Sequence, residues 1–154
     1  TGKFSAMVKE SSRGRQLTGS KSVSDILKPL FAGEDDVEKI YIIFLTQKNE
    51  IIEVENMFSG SIGQAAVYPR EIVKRIIQLK AANIVIAHNH PSGDPRPSGA
   101  DIQLTRQIVI ATLSMGVRVL DHVIVGDSYH SMADVGVIEG MMKTIIEFVD
   151  KTEV

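Results

Sequence analysis

The chain contains no cysteine. Disulfides, thiol nucleophiles and thiolate metal sites are thereby excluded, so any metal must be held by histidine and carboxylate. Such a chain suits a reducing compartment, and the cytoplasm is the expected location. No apolar run approaches the roughly 18 residues of a membrane span, and the N-terminus lacks the charged-then-apolar layout of a signal peptide. An excess of basic residues is missing too: 17 Lys and Arg against 19 Asp and Glu give a net charge of -2 and a pI near 6.1. A dedicated nucleic-acid binder advertises a basic face, so charge does not point to nucleic acid. Internal repeats and low-complexity tracts are absent. What remains, 154 residues that are 44% hydrophobic and 23% charged, reads as a globular domain large enough for a core.

The most informative stretch is His88-Asn89-His90-Pro91-Ser92-Gly93-Asp94-Pro95-Arg96-Pro97-Ser98-Gly99-Ala100-Asp101. It follows Ile84-Val85-Ile86-Ala87, an apolar run too short and too β-branched for a helix, so the histidines sit where a buried strand runs out into a loop. Side chains two apart on a strand share a face. His88 and His90 can therefore aim two imidazoles at one point. Prolines and glycines stiffen the loop until Ser98 opens a helix whose first turn carries Asp101. Two His and one carboxylate leave a fourth tetrahedral position for water, the arrangement of a catalytic zinc. The competing reading of Ser98-x-x-Asp101 is a plain helix start, with Ser as N-cap and an acid at N3.

Read in order, residues 1–21 carry Lys3, Lys9, Arg13, Arg15 and Lys21 against Glu10, and are expected to form a loosely packed arm, flexible and basic over 1–16. A short helix is expected over 22–31, capped by Ser22 or Ser24 and stopped by Ala32-Gly33. The acids Glu34, Asp35, Asp36 and Glu38 lead into a central strand, Lys39 to Thr46, which a turn at 47–50 pairs with Ile51 to Glu55. The small-residue segment 58–66 is expected to rim a site or position a substrate strand. Tyr68-Pro69-Arg70-Glu71 opens a helix through Lys80 with Ile72, Val73, Ile76, Ile77 and Leu79 as a core stripe. A second helix runs from Asp101 to about Leu113 and Gly116 closes it. The strand after it is interrupted by Asp121-His122. His130 falls on an edge strand. Met141, Met142, Ile145, Ile146 and Val149 have helical spacing in a tail over 140–154, which packs on the domain or makes a dimer contact. The order of elements predicts an α/β, three-layer domain with a mixed central sheet and helices on both faces.

His-x-His, seven residues, Ser, two residues, Asp resembles the JAMM (MPN/JAB) metalloprotease motif without a gap, as His88, His90, Ser98 and Asp101. Tyr68-Pro69-Arg70-Glu71, Ala87-His88-Asn89-His90-Pro91-Ser92-Gly93 and Leu120-Asp121-His122 are similar to the RadC branch of that family, a likeness running from about residue 17 to 139. The resemblance implies the same three-layer fold. It also implies Zn2+ held by His88, His90 and Asp101, and a glutamate that is not a ligand and takes the proton from the activated water. Glu38 occupies that glutamate's place, with Glu71 the main rival and Glu53 and Glu55 behind it. Ser98 is expected to donate its hydroxyl to the oxyanion that develops on the substrate carbonyl. His122 is either a third nitrogen ligand or, as preferred, a supporting histidine paired with Asp121 or a backbone carbonyl. The implied reaction is hydrolysis of a peptide or isopeptide bond in an unknown protein or peptide. Two other readings stand beside it: a DNA-repair accessory role, and a metal-binding interaction module without turnover. RadC-like proteins commonly carry a helix-hairpin-helix region ahead of this domain, and nothing in this sequence resembles one.

Overall fold

A strand with apolar side chains on both faces needs a layer on each side, and β1 (Glu38–Leu45) is such a strand: every side chain from Ile40 to Leu45 is buried. The computed structural model describes residues 2–32, 37–60 and 67–151. In it β1 pairs antiparallel with β2 (Ile51–Gly60) on one side and β3 (Asn83–Asn89) on the other. β3 runs parallel to β4 (Arg118–Val125), and β4 pairs antiparallel with β5 (Tyr129–Ser131), so the order is β2-β1-β3-β4-β5. Helices α1 (Gly2–Ser12) and α2 (Ser20–Phe31) lie on one face, and α3 (Pro69–Leu79), α4 (Gly99–Leu113) and α5 (Val137–Lys151) on the other. The architecture is the expected mixed-sheet, three-layer α/β domain. Among the described residues no helix is long and apolar enough to cross a membrane.

Strand alternation assigns the two cores. Ile40, Ile42 and Phe44 of β1 with Ile84 and Ile86 of β3 pack towards α3, α4 and α5, whereas Tyr41, Ile43 and Leu45 with Val85 and Ala87 pack towards α2. Carried to the strand ends, the same rows put Glu38 and His88 on the α4 face and Asn89 on the α2 face. β1 and β3 pair Ile40 with His88, which brings His88 to the end of the sheet where Glu38 begins β1.

β4 is continuous where an interruption at Asp121-His122 was expected. The irregularity is a bulge one residue earlier: Ile84 pairs with Val119 and Val85 with Asp121, so Leu120 is the extra residue. A bulge shifts the alternation by one. Val119 before it and Ile124 after it therefore join the same core despite opposite parity, and His122 comes to the α4 face.

Other boundaries differ from expectation for local reasons. Residues 2–12, within the stretch read as a loose arm, form a helix that is exposed along most of its length, with Val8 reaching the α2-side core. The chain after it is tied to the edge of β2 by Gly14 N–H to Ile51 carbonyl (2.8 Å), Ile51 N–H to Arg15 carbonyl (2.9 Å) and an Arg13–Glu53 ion pair at 3.0 Å. α2 starts at Ser20 behind Gly19, so neither Ser22 nor Ser24 is the cap. Ser22 sits inside the first turn, accepting from Thr18 N–H and donating to the Gly19 carbonyl, and Ser24 is buried. Its stop residue Gly33, and Glu34, Asp35 and Asp36, lie outside the described residues. β2 extends to Gly60, into the segment read as a linker, because it keeps pairing with β1 as far as Glu38; 61–66 lie outside the described residues. In α3, Ile72 and Ile76 are core, but Ile77 is 63% exposed. In α5, Ile138 and Met141 are buried and Met142 and Ile145 pack against the core, whereas Ile146 and Val149 face outwards.

Candidate metal centre

Four side chains meet beyond the ends of β1 and β3. One ligand atom each from Glu38, His88, His90 and Asp101 lies within 4.8 Å of all the others. His88 Nε2 is 3.2 Å from Asp101 Oδ1 and 3.5 Å from Glu38 Oε1, and His90 Nε2 is 3.0 Å from Asp101 Oδ2. Asp101 reaches this point through its helix start. Ser98 Oγ accepts from Asp101 N–H (3.1 Å) and Asp101 Oδ2 accepts from Ser98 N–H (2.8 Å), a capping box at the N-terminus of α4. The capping and metal readings of Ser98-x-x-Asp101 are thus one geometry: the cap orients the carboxylate that faces the histidines.

The start of the loop between is held against the end of β4 and the turn after it. His90 N–H donates to the Val125 carbonyl (2.9 Å), Gly93 N–H to the His90 carbonyl (3.0 Å) and Asp127 N–H to the Gly93 carbonyl (2.7 Å). A side chain at Gly126 would collide with the Gly93 carbonyl, so the β4–β5 turn needs glycine where the loop crosses it.

Hydrogen-bond accounting shows what the cluster fits. His90 Nδ1 lies 2.8 Å from the Asp94 carbonyl, which can only accept, so Nδ1 carries the hydrogen. With Nδ1 so used, His90 turns its Nε2 towards Asp101 Oδ2. His88 Nε2 and Glu38 Oε1 are buried without a hydrogen-bond partner. Acceptors facing acceptors in a buried site need a cation between them. A tetrahedral metal with ligands at about 2.0–2.2 Å separates them by roughly 3.3 Å, close to the His–Asp101 distances given above.

Electrostatics agrees. Burial raises the Glu38 carboxyl to about 7, His90 opposing and the Asp101 charge adding to the rise. Burial would also raise Asp101, but the neighbouring His88 imidazole and the bonds from Ser98 bring it below the usual carboxylate range. Burial lowers His88, with Asp101 opposing, and takes His122 well below the ordinary imidazole range. His122 is therefore neutral.

The other sequence candidates fall elsewhere. Glu53 pairs with Arg13, Glu55 forms an ion pair with Arg75, and Glu71 is exposed in the first turn of α3; none joins the cluster. His122 stands behind His88, outside the four-residue cluster, and its partners are not those expected. Its Nε2 is 2.7 Å from His88 Nδ1 and its Nδ1 is 2.6 Å from Thr105 Oγ1. Asp121 instead accepts from the His122 backbone N–H, the Ala133 N–H and the Ser131 hydroxyl. His130 is half-buried on β5. Two residues were missed. Thr105 is one turn after Asp101 on α4, a spacing that could have been read. Asn89 is buried on the opposite face, where its Oδ1 accepts from Lys39 N–H (2.7 Å) and its Nδ2 donates to the Val37 carbonyl (2.9 Å). It clamps the backbone on both sides of Glu38.

The model of the RadC-like JAB domain matches residues 17–137. The chain belongs to that family. Among curated relatives it is 39% identical over 124 residues to a UPF0758 protein of Vibrio cholerae serotype O1, a match covering 80% of this chain and 78% of that one. It is 40% identical over 126 residues to the UPF0758 protein YfjY of Escherichia coli K12, covering 81% and 78%. A UPF0758 protein of Alkaliphilus oremlandii is 47% identical over 94 residues, which are 60% of this chain but only 40% of that relative. The RadC-like JAB chain thus spans most of some relatives and less than half of others.

Proposed function

We propose that this RadC-like JAB domain is a zinc-dependent hydrolase of peptide or isopeptide bonds, with His88, His90 and Asp101 holding the metal and Glu38 moving the proton. The observation that carries the reading is the convergence of two imidazole nitrogens and two carboxylates, with His88 Nε2 and Glu38 Oε1 buried and unpartnered. When bound, the metal supplies Lewis acidity, lowering the pKa of its water to about 7 and polarising the substrate carbonyl.

The protein's own groups do the rest. Asp101 and the two histidines come from a helix N-terminus and a strand end, which keeps their geometry set before substrate arrives. Glu38 stands 3.5 Å from His88 Nε2, and its raised carboxyl, near 7, suits a group that takes a proton and gives it to the departing nitrogen at neutral pH. Ser98 is exposed at the mouth, and its oxygen is used as an acceptor by the cap, so its hydrogen is available for an oxyanion. A nucleic-acid role has less support: Arg13 and Lys21 are paired with Glu53 and Asp25, and Lys9 stacks over Tyr41.

The test is a screen of peptide and isopeptide libraries with zinc-loaded wild type and Glu38→Gln. Cleavage by wild type, abolished in a Glu38→Gln protein that keeps its zinc, is expected. Cleavage that survives Glu38→Gln unchanged would remove Glu38 from the chemistry.

A further inference from the structure

His88 is backed by a chain of polar groups that no water can reach. Its Nδ1 meets His122 Nε2 at 2.7 Å, His122 Nδ1 meets Thr105 Oγ1 at 2.6 Å, and all three residues are 0% exposed. Thr105 Oγ1 also lies 2.7 Å from the carbonyl oxygen of Asp101, one turn back along α4. A carbonyl can only accept, and a hydroxyl has a single hydrogen. With that hydrogen on the Asp101 carbonyl, Thr105 must accept from His122, so His122 carries its hydrogen on Nδ1. The neutral ring then offers a lone pair at Nε2, and His88 must donate from Nδ1. His88 is left with a bare Nε2, the buried atom that faces Asp101 Oδ1 and has no hydrogen-bond partner. The Met132 sulfur, 3.6 Å from Thr105 Oγ1, is a weaker acceptor for the same hydrogen and leads to the same polarity.

We propose that Thr105 and His122 form a tautomer-setting relay that holds His88 as an Nδ1–H imidazole with Nε2 free to bind the metal. The proposal rests on the metal reading above. The two ligand histidines reach one tautomer by different means: His90 through the Asp94 carbonyl, His88 through two side chains that end on the backbone of its fellow ligand Asp101. Thr105 and His122 are positioning residues, because they act on the metal only through His88.

The experiment has two readouts on the full chain. Long-range 1H–15N spectra of the metal-free wild type should show both His88 and His122 as Nδ1–H tautomers. Zinc affinity, measured by competition with a chromophoric chelator, should fall about 10–100-fold in Thr105→Val and return in Thr105→Ser, which restores the hydroxyl. A metal-free wild type with His88 protonated on Nε2 would overturn the relay, as would a Thr105→Val protein whose zinc affinity is indistinguishable from wild type. Should Thr105→Val fail to fold, Thr105→Ser and the wild-type spectrum still decide. A wild type that binds no zinc contradicts the metal reading, while the spectrum still judges the relay.

Discussion

At the open end of β1 and β3 the two faces of the sheet finish with polar groups used in opposite ways. On the α4 face the apolar row Ile42, Ile40 and Ile86 gives way to Glu38 and His88, whose facing atoms are buried and unpartnered. On the α2 face the row Tyr41 and Ala87 gives way to Asn89, whose amide oxygen accepts from Lys39 N–H of β1 and whose nitrogen donates to the Val37 carbonyl just before it. One face keeps unpaired groups at a cost that a bound cation or a proton relieves; the other pairs both ends of its amide with backbone and gains rigidity from it. Both meet at Glu38, one at its carboxylate and one at its main chain. The difference separates chemistry from support within two neighbouring residues, His88 and Asn89.

Removing a group from the site face should have the larger effect. Ser98→Ala takes away the oxyanion donor and the cap of α4 together, so kcat on a cleaved peptide should fall about 10²–10³-fold and stability by roughly 1 kcal/mol. A variant that loses stability alone would restrict Ser98 to capping. Asn89→Ala on the opposite face should leave zinc content unchanged while kcat drops on the order of 10²-fold through displacement of Glu38. Loss of zinc in parallel would show that Asn89 acts through the histidines and would dissolve the contrast between the faces.

The smallest effect is on stability against pH in the metal-free protein. Glu38 is raised from 4.5 to about 7 on folding, so the folded state binds its proton more tightly than the unfolded state. The contribution is fully favourable below about 4.5 and is lost as pH rises through about 7. Asp101 is shifted the other way and loses its contribution as pH falls, but it is present in both proteins of the comparison. Glu38→Gln should therefore gain on wild type in chemical denaturation between about pH 4.5 and 7, with no further change above that range. Parallel curves would mean that Glu38 is solvated and not a stored acceptor.

The sequence showed the site face better than the supporting face, for physical reasons. His88 and His90 are two apart at a strand end, and Asp101 is three after a capping serine, so short-range periodicity carries these three residues. Glu38 needed the family likeness, because its approach to His88 depends on the β1–β3 register. His122 depends on the bulge at Leu120, which moves it to the site face; counting from Val119 without the bulge puts it on the other side. Its partner Thr105 was one helical turn from Asp101, yet only that register brings them together. Asn89 was hidden by its position between two histidines, where alternation points it away from the metal. The helix over 2–12 was masked by its charge, although Ala6, Met7, Lys9 and Glu10 favour helix.

The central claim is that His88, His90 and Asp101 hold a zinc ion, and elemental analysis tests it most directly on protein purified without chelator or a nickel column. Wild type is expected to carry about one zinc per chain, and His88→Ala and Asp101→Ala essentially none, each variant still showing its folded circular dichroism. Undiminished zinc in a folded His88→Ala protein, or a wild type that stays metal-free in excess zinc, would contradict the account.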